Sequence, residues 1–114
     1  MRVKTESSPF GSPTRTRVLL VMQFLGESYA RELSRILEAP VSVIQKALKS
    51  LEKDGVIAAR VMGRTRVYRF DSRYFAAAEL QSFLRRLAEP EAEWKNRLAR
   101  IRRRPRIGGK PLWP

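Results

Sequence analysis

Apolar residues first recur at helical spacing over Val18, Val21, Met22 and Leu25, and Leu19, Leu20 and Phe24 widen that stripe until most of the helix has to be covered. Ser12 followed by Pro13 marks its start, with a hydroxyl placed to accept an orphan amide and a ring pre-set in φ, and Gly26 marks its end. A second amphipathic segment follows, with Ser28 as the expected cap. Ala30, Leu33, Ile36 and Leu37 point inward there, and Arg31, Glu32 and Arg35 point to water. Pro40 separates this segment from a third, because proline disfavours a helical residue before it and can begin the next helix. The third helix is predicted from about Val41 to Asp54. Its buried stripe is Ile44, Leu48 and Leu51, Ala47 permits close approach, and Gly55 supplies a left-handed C-terminal residue.

The period then changes from helical to alternating. The segments 56–62 and 66–70 flank Gly63-Arg64-Thr65 and read as a β-hairpin, with Tyr68 and Phe70 on one face and Val67 and Arg69 on the other. Asp71 and Ser72 are placed to cap a fourth helix reaching about Ala88, and Pro90 interrupts it or begins a fifth that ends near Arg104. Residues 1–11 read as a flexible basic arm and residues 105–114 as a disordered basic tail. Two short helices, a tight turn and a basic hairpin in succession make a helix-turn-helix with a wing over residues 12–73. The predicted fold class is mainly α with a small β-hairpin, carrying C-terminal helices over residues 74–104.

Charge sharpens this reading. The 24 lysines and arginines outweigh 11 aspartates and glutamates, for a net charge of +13 in 114 residues, so polyanions are the expected partners. The longest apolar run is Val18 to Met22, far short of the roughly 20 residues that span a bilayer, and Met1 to Ser8 has no apolar stretch of a signal peptide. A cytoplasmic, nucleoid-associated protein with no membrane partner is expected. The chain has no cysteine and no histidine, which excludes disulfides, thiolate or imidazole metal sites and the commonest general base. The carboxylates form no paired constellation, and no phosphate loop or nucleophile motif is present, so no catalytic residue and no cofactor are expected.

Three short motifs carry a resemblance to a known family. Phe10-Gly11-Ser12, Tyr29-Ala30-Arg31-Glu32-Leu33 and Leu51-Glu52-Lys53-Asp54-Gly55 are similar to corresponding stretches of winged-helix transcription regulators of the ArsR/MarR type. The resemblance covers about residues 10–73, some 64 of 114. Two features depart from it. The family often places glycine and then serine in the turn before the third helix, where this chain has Glu38 and Pro40, and its metal sensors use cysteine or histidine ligands that this chain lacks.

The resemblance implies that the third helix enters the major groove of DNA. Off its buried stripe lie Ser42, Val43, Gln45, Lys46 and Lys49, of which Gln45 suits a bidentate pair with adenine, Lys46 and Lys49 suit guanine or phosphate, and Val43 suits a thymine methyl group. The same residues would serve as an ordinary solvated helix face. In the wing, Arg60, Arg64 and Arg66, with Arg69 beside them, suit phosphate or a narrow minor groove, although hairpins also use arginine to discourage edge pairing. Arg15, Arg17 and Arg31 are secondary candidates for backbone contacts.

Two further apolar stripes, Leu80, Leu84, Leu87 and Trp94, Leu98, Ile101, exceed what so small a core needs and read as a dimer seam; packing back on the same chain is the alternative. Eight of the 24 basic residues follow Ala88, and for the tail around Trp113 docking of a protein partner and mere tail stickiness are equally open readings. The expectation is therefore a homodimeric, sequence-specific regulator of transcription that binds double-stranded DNA, more often a repressor. Its competitors are a low-specificity nucleoid or mobile-element DNA-binding protein and a winged-helix adaptor for protein or RNA.

Overall fold

A computed structural model describes residues 10–88 together with Leu98 and Ala99. In chain order the elements are α1 (Pro13–Leu25), β1 (Glu27–Tyr29), α2 (Ala30–Leu37), α3 (Val41–Lys53), β2 (Ile57–Met62), β3 (Thr65–Phe70) and α4 (Ala77–Ala88). The expected basic arm over residues 1–9, the basic tail, and Trp94 and Ile101 of the second stripe lie outside the described residues.

Helix α1 is the centre of the fold. The Ser12 hydroxyl accepts the Arg15 amide at 3.1 Å, Pro13 opens the helix, and the Gly26 amide donates to the Met22 carbonyl at 2.7 Å with φ +85. Between these ends Val18, Leu19, Leu20, Val21 and Met22 are all buried, an unbroken run that only a helix surrounded on every side accepts. Helices α2, α3 and α4 and the sheet supply that surround. Each fully buried leucine or valine contributes roughly 1.5–3 kcal/mol by leaving water, and this shared core sets how the outer elements sit on α1.

Between α2 and α3 the chain turns through Glu38, which takes the left-handed conformation at φ 54 and ψ 46 that glycine would hold without strain. The Ser34 hydroxyl donates to the Ala39 carbonyl and closes the turn. At the far end of α3, Gly55 adopts φ +80, and the Val56 amide donates back to the Leu51 carbonyl at 3.1 Å. These two left-handed residues fix where α3 begins and ends.

The sheet differs from the expected hairpin. It has three strands in the order β1-β3-β2, all antiparallel, with Glu27 opposite Arg69, Tyr29 opposite Val67, and Met62 opposite Thr65. Ser28 is therefore a buried strand residue and not the cap of α2, whose N-cap position is Tyr29 with no side-chain cap. The Ser28 hydroxyl instead donates to a Glu32 carboxylate oxygen at 2.7 Å, and this partner lets Glu32 lie 1% exposed where the amphipathic pattern had turned it to water. Helix α4 also begins later than expected, at Ala77, because residues 71–76 form successive turns in which Asp71 accepts the Arg73 amide and side chain.

Four of the six residues expected at a dimer seam meet the chain's own core. Leu84 and Leu98 are 0% exposed and Leu80 is 9% exposed, all within the same core cluster as α1, with Leu87 half-buried against it. α4 packs along α1 and completes its cover. A side chain with no area left in water can bury none against a partner, so Leu84 and Leu98, and nearly all of Leu80, belong to the chain's own core, while Leu87 keeps part of its surface in water.

Candidate nucleic-acid interface

The buried stripe of α3 (Ile44, Ala47, Leu48, Leu51) presses on the core and thereby fixes which residues face out. At ~100° per residue, Ser42, Lys46, Lys49 and Lys53 form the middle of the outer face. Gln45 and Val41 lie along one edge of it and Val43 along the other. All five positions expected to read DNA on this helix, Ser42, Val43, Gln45, Lys46 and Lys49, are exposed together on this face. Val41 joins them at 36% exposure, a residue that the sequence, with Val43, offers as support for the protein-interaction reading rather than for base reading. No acidic residue occupies the first turn of α3, so the positive end of the helix dipole is uncompensated there.

The wing is tied to this helix. Arg66 on β3 places Nη2 2.9 Å from the Glu52 carboxylate of α3, its Nε donates to the Tyr68 hydroxyl at 3.3 Å, and its guanidinium lies 5.8 Å from the centre of the Tyr68 ring. The Tyr68 hydroxyl foremost, and then the Glu52 charge, hold the Arg66 guanidinium above its ordinary pKa. Arg60 on β2 reaches Glu27 of β1 at 3.3 Å, and Arg69 approaches the same carboxylate at 4.0 Å. Arg64 stands in the turn between the strands, fully outside, next to Gly63 with φ +64.

The arginines and lysines thus fall into two groups. Arg60, Arg66, Arg69 and Arg73 each face a carboxylate, and Arg15 binds Asp54 at 2.8 Å and the Ser50 hydroxyl, anchoring the end of α3 to the start of α1. Among the described residues, Lys46, Lys49, Lys53 and Arg64 meet no carboxylate, and neither do Arg17 on α1, Arg31 and Arg35 on α2 and Arg85 on α4. Glu52 and Asp54 at the C-terminal end of α3 are consequently neutralised from within the chain, while the lysines on its outer face and the arginine at the wing tip keep uncompensated charge. Arg31 and Arg35 are exposed on α2, and Arg17 is partly covered on α1.

The roles of Glu27 and Glu52 as arginine partners were not visible in the sequence. Glu27 lies in a three-residue strand too short to show alternation, and Glu52 meets β3 across a turn whose register only the assembled sheet defines. Among the described residues no group of three or more metal-ligating side chains comes together, and no helix is long and apolar enough to cross a membrane.

No protein-family model and no curated protein matches this chain. Solved structures do. Reduced HlyU from Vibrio cholerae superposes with a TM-score of 0.58 at 24% identity, over 72% of this chain and 80% of that one. The adhesin competence repressor AdcR from Streptococcus pyogenes gives 0.59 at 18% identity, over 79% of this chain and 66% of that one. A variant of ZitR from Lactococcus lactis gives 0.61 at 16% identity, over 88% and 68%. At such identities the likeness is one of backbone architecture. The three helices, the closing hairpin and the fourth helix therefore make this chain a winged helix-turn-helix of the same fold as HlyU, AdcR and ZitR.

Proposed function

We propose that this chain is a double-stranded-DNA-binding regulator of transcription that works as a homodimer, with α3 in the major groove and the wing tip against the backbone or the minor groove. One observation carries the reading: Lys46, Lys49 and Lys53 line the outer face of α3 without a carboxylate partner among the described residues, as does Arg64 at the wing tip, while Glu52 and Asp54 beside them are held by Arg66 and Arg15. A surface built to bind anything but a polyanion would not neutralise its acids and leave its bases free. The fold shared with AdcR, a repressor by name, supports repression as the mode of action.

The homodimer finds support in exposed aromatic surface. Phe75 is 89% and Phe83 46% exposed; Phe83 meets Phe10 edge-on at 5.9 Å, and Phe10, Tyr74, Phe75 and Leu80 line an open hollow of about 660 Å³. A projecting ring beside a partly apolar hollow, whose lining also includes Arg15 and Asp54, suits exchange across a two-fold axis, each Phe75 entering the partner's hollow. Symmetry then requires two half-sites in inverted repeat.

Selection of bound duplexes from a random pool, followed by titration of the enriched duplex and a scrambled one, tests this reading. An inverted repeat bound at least tenfold more tightly than the scramble is expected. Equal affinity for both favours the low-specificity alternative, which the eight basic residues after Ala88 also support.

A further inference from the structure

The reading face of α3 carries two large apolar side chains in water. Val41 is 36% and Val43 42% exposed, on a helix whose other exposed residues are polar or charged from Ser42 to Lys53. Neither contributes to the core cluster, and β-branched residues are not favoured helix formers, so neither folding nor helix propensity explains them. Their placement does have a regularity. Two residues apart on a helix is ~200° about the axis, so the valines stand on opposite edges of the exposed face, with Ser42 between them and Lys46 one turn on.

A valine offers only methyl groups. In the major groove the four bases present hydrogen-bonding atoms in different patterns, and thymine alone presents an apolar group, its C5 methyl. With the outer face turned to the groove floor, the two edges of α3 face the two strands. Resting on the proposed DNA-binding role, we infer that Val41 and Val43 are specificity-determining residues that read thymine methyl groups on opposite strands of each half-site, so that the preferred half-site holds two A·T pairs in opposite orientation. Gln45, on the same edge as Val41, is placed to pair with an adjacent adenine, which extends the same A·T preference. Lysine contacts to phosphate add affinity without selecting between these pairs.

The thymine methyl is removable without touching any hydrogen bond, since deoxyuridine differs from thymidine by that group alone. The test uses the full chain and the duplex enriched from a random pool, with deoxyuridine placed for thymine at one strand, the other, or both. Loss of one buried methyl contact corresponds to about a fourfold loss of affinity. The expected result is about a fourfold loss for either substitution, a product of the two for both, and selective silence in the variants: Val41→Ala becomes indifferent to deoxyuridine on one strand and Val43→Ala on the other. Both positions are exposed, and circular dichroism of the variants is expected to match the parent. Tight binding of the enriched duplex with no deoxyuridine effect on either strand overturns the valine assignment and leaves the DNA-binding role standing. Enriched duplexes without A·T pairs in the half-site do the same. Failure to bind any duplex overturns both.

Discussion

The guanidinium of Arg66 lies 2.9 Å from the carboxylate of Glu52, which joins the second strand of the wing to the last turns of the reading helix. Both side chains remain partly exposed, so the pair is screened by salt and adds little to folding, but it does occupy an arginine that the proposed function would otherwise give to DNA. Replacing the acid frees the base. In Glu52→Gln the plot of log affinity for duplex DNA against log salt is expected to steepen by about one phosphate equivalent, with the melting temperature nearly unchanged. An unaltered slope would show that Arg66 reaches phosphate despite its partner.

The proposed function divides the work between the wing tip and α3. Arg64→Ala is expected to weaken enriched and scrambled duplexes alike and to lower the salt slope by about one, because its contact is to backbone charge. Gln45→Ala and Lys46→Ala are expected to narrow the gap between the two duplexes by about 1–3 kcal/mol for each lost base contact. Titrations of both duplexes with all three variants check the division; a uniform loss for all three would contradict it.

Leu84 and Phe75 part company in the same way. Leu84 is fully buried against α1, so Leu84→Glu places an unpaired charge in the core and is expected to cost more than about 3 kcal/mol, seen as unfolding in urea. The pair Phe75→Ser and Phe83→Ser changes one ring almost wholly in water and one half-exposed against Phe10, and is expected to lower the urea midpoint only slightly while sedimentation at micromolar concentration shifts from dimer to monomer. A parent chain that sediments as a monomer would refute the aromatic seam.

Much of this architecture was written in punctuation. Ser12-Pro13, Gly26, Gly55 and Gly63 each sit where a helix or hairpin has to start, stop or turn, and the structure ends its elements at those residues. The exposed face of α3 was equally legible, since Ile44, Ala47, Leu48 and Leu51 define its opposite. The strand Glu27–Tyr29 was not, because three residues carry no readable period. With β1 unseen, Ser28 looked like a cap and Glu32 like a solvated charge, although each is the other's buried partner. The leucines of α4 show a different limit: periodicity identifies an apolar face and is silent on whether the same chain or a second one covers it.

Glu38 holds a left-handed conformation in the turn before α3 without being a glycine. Glu38→Gly is expected to relieve that strain and raise stability by about 0.5–1 kcal/mol, the gain being reduced by glycine's larger entropy in the unfolded chain. Urea denaturation measures it, and a loss of stability would mean that the contacts of the Glu38 side chain outweigh the strain.

On the proposed function, duplex DNA meets this chain through α3 and the wing tip. Amide chemical shifts recorded during titration with an enriched duplex test it residue by residue. Perturbations are predicted to concentrate over residues 41–49 and 63–66, with the buried centre of α1 and the length of α4 little changed. A map centred on α4 or on the aromatic hollow, with α3 and Arg64 silent, would contradict it.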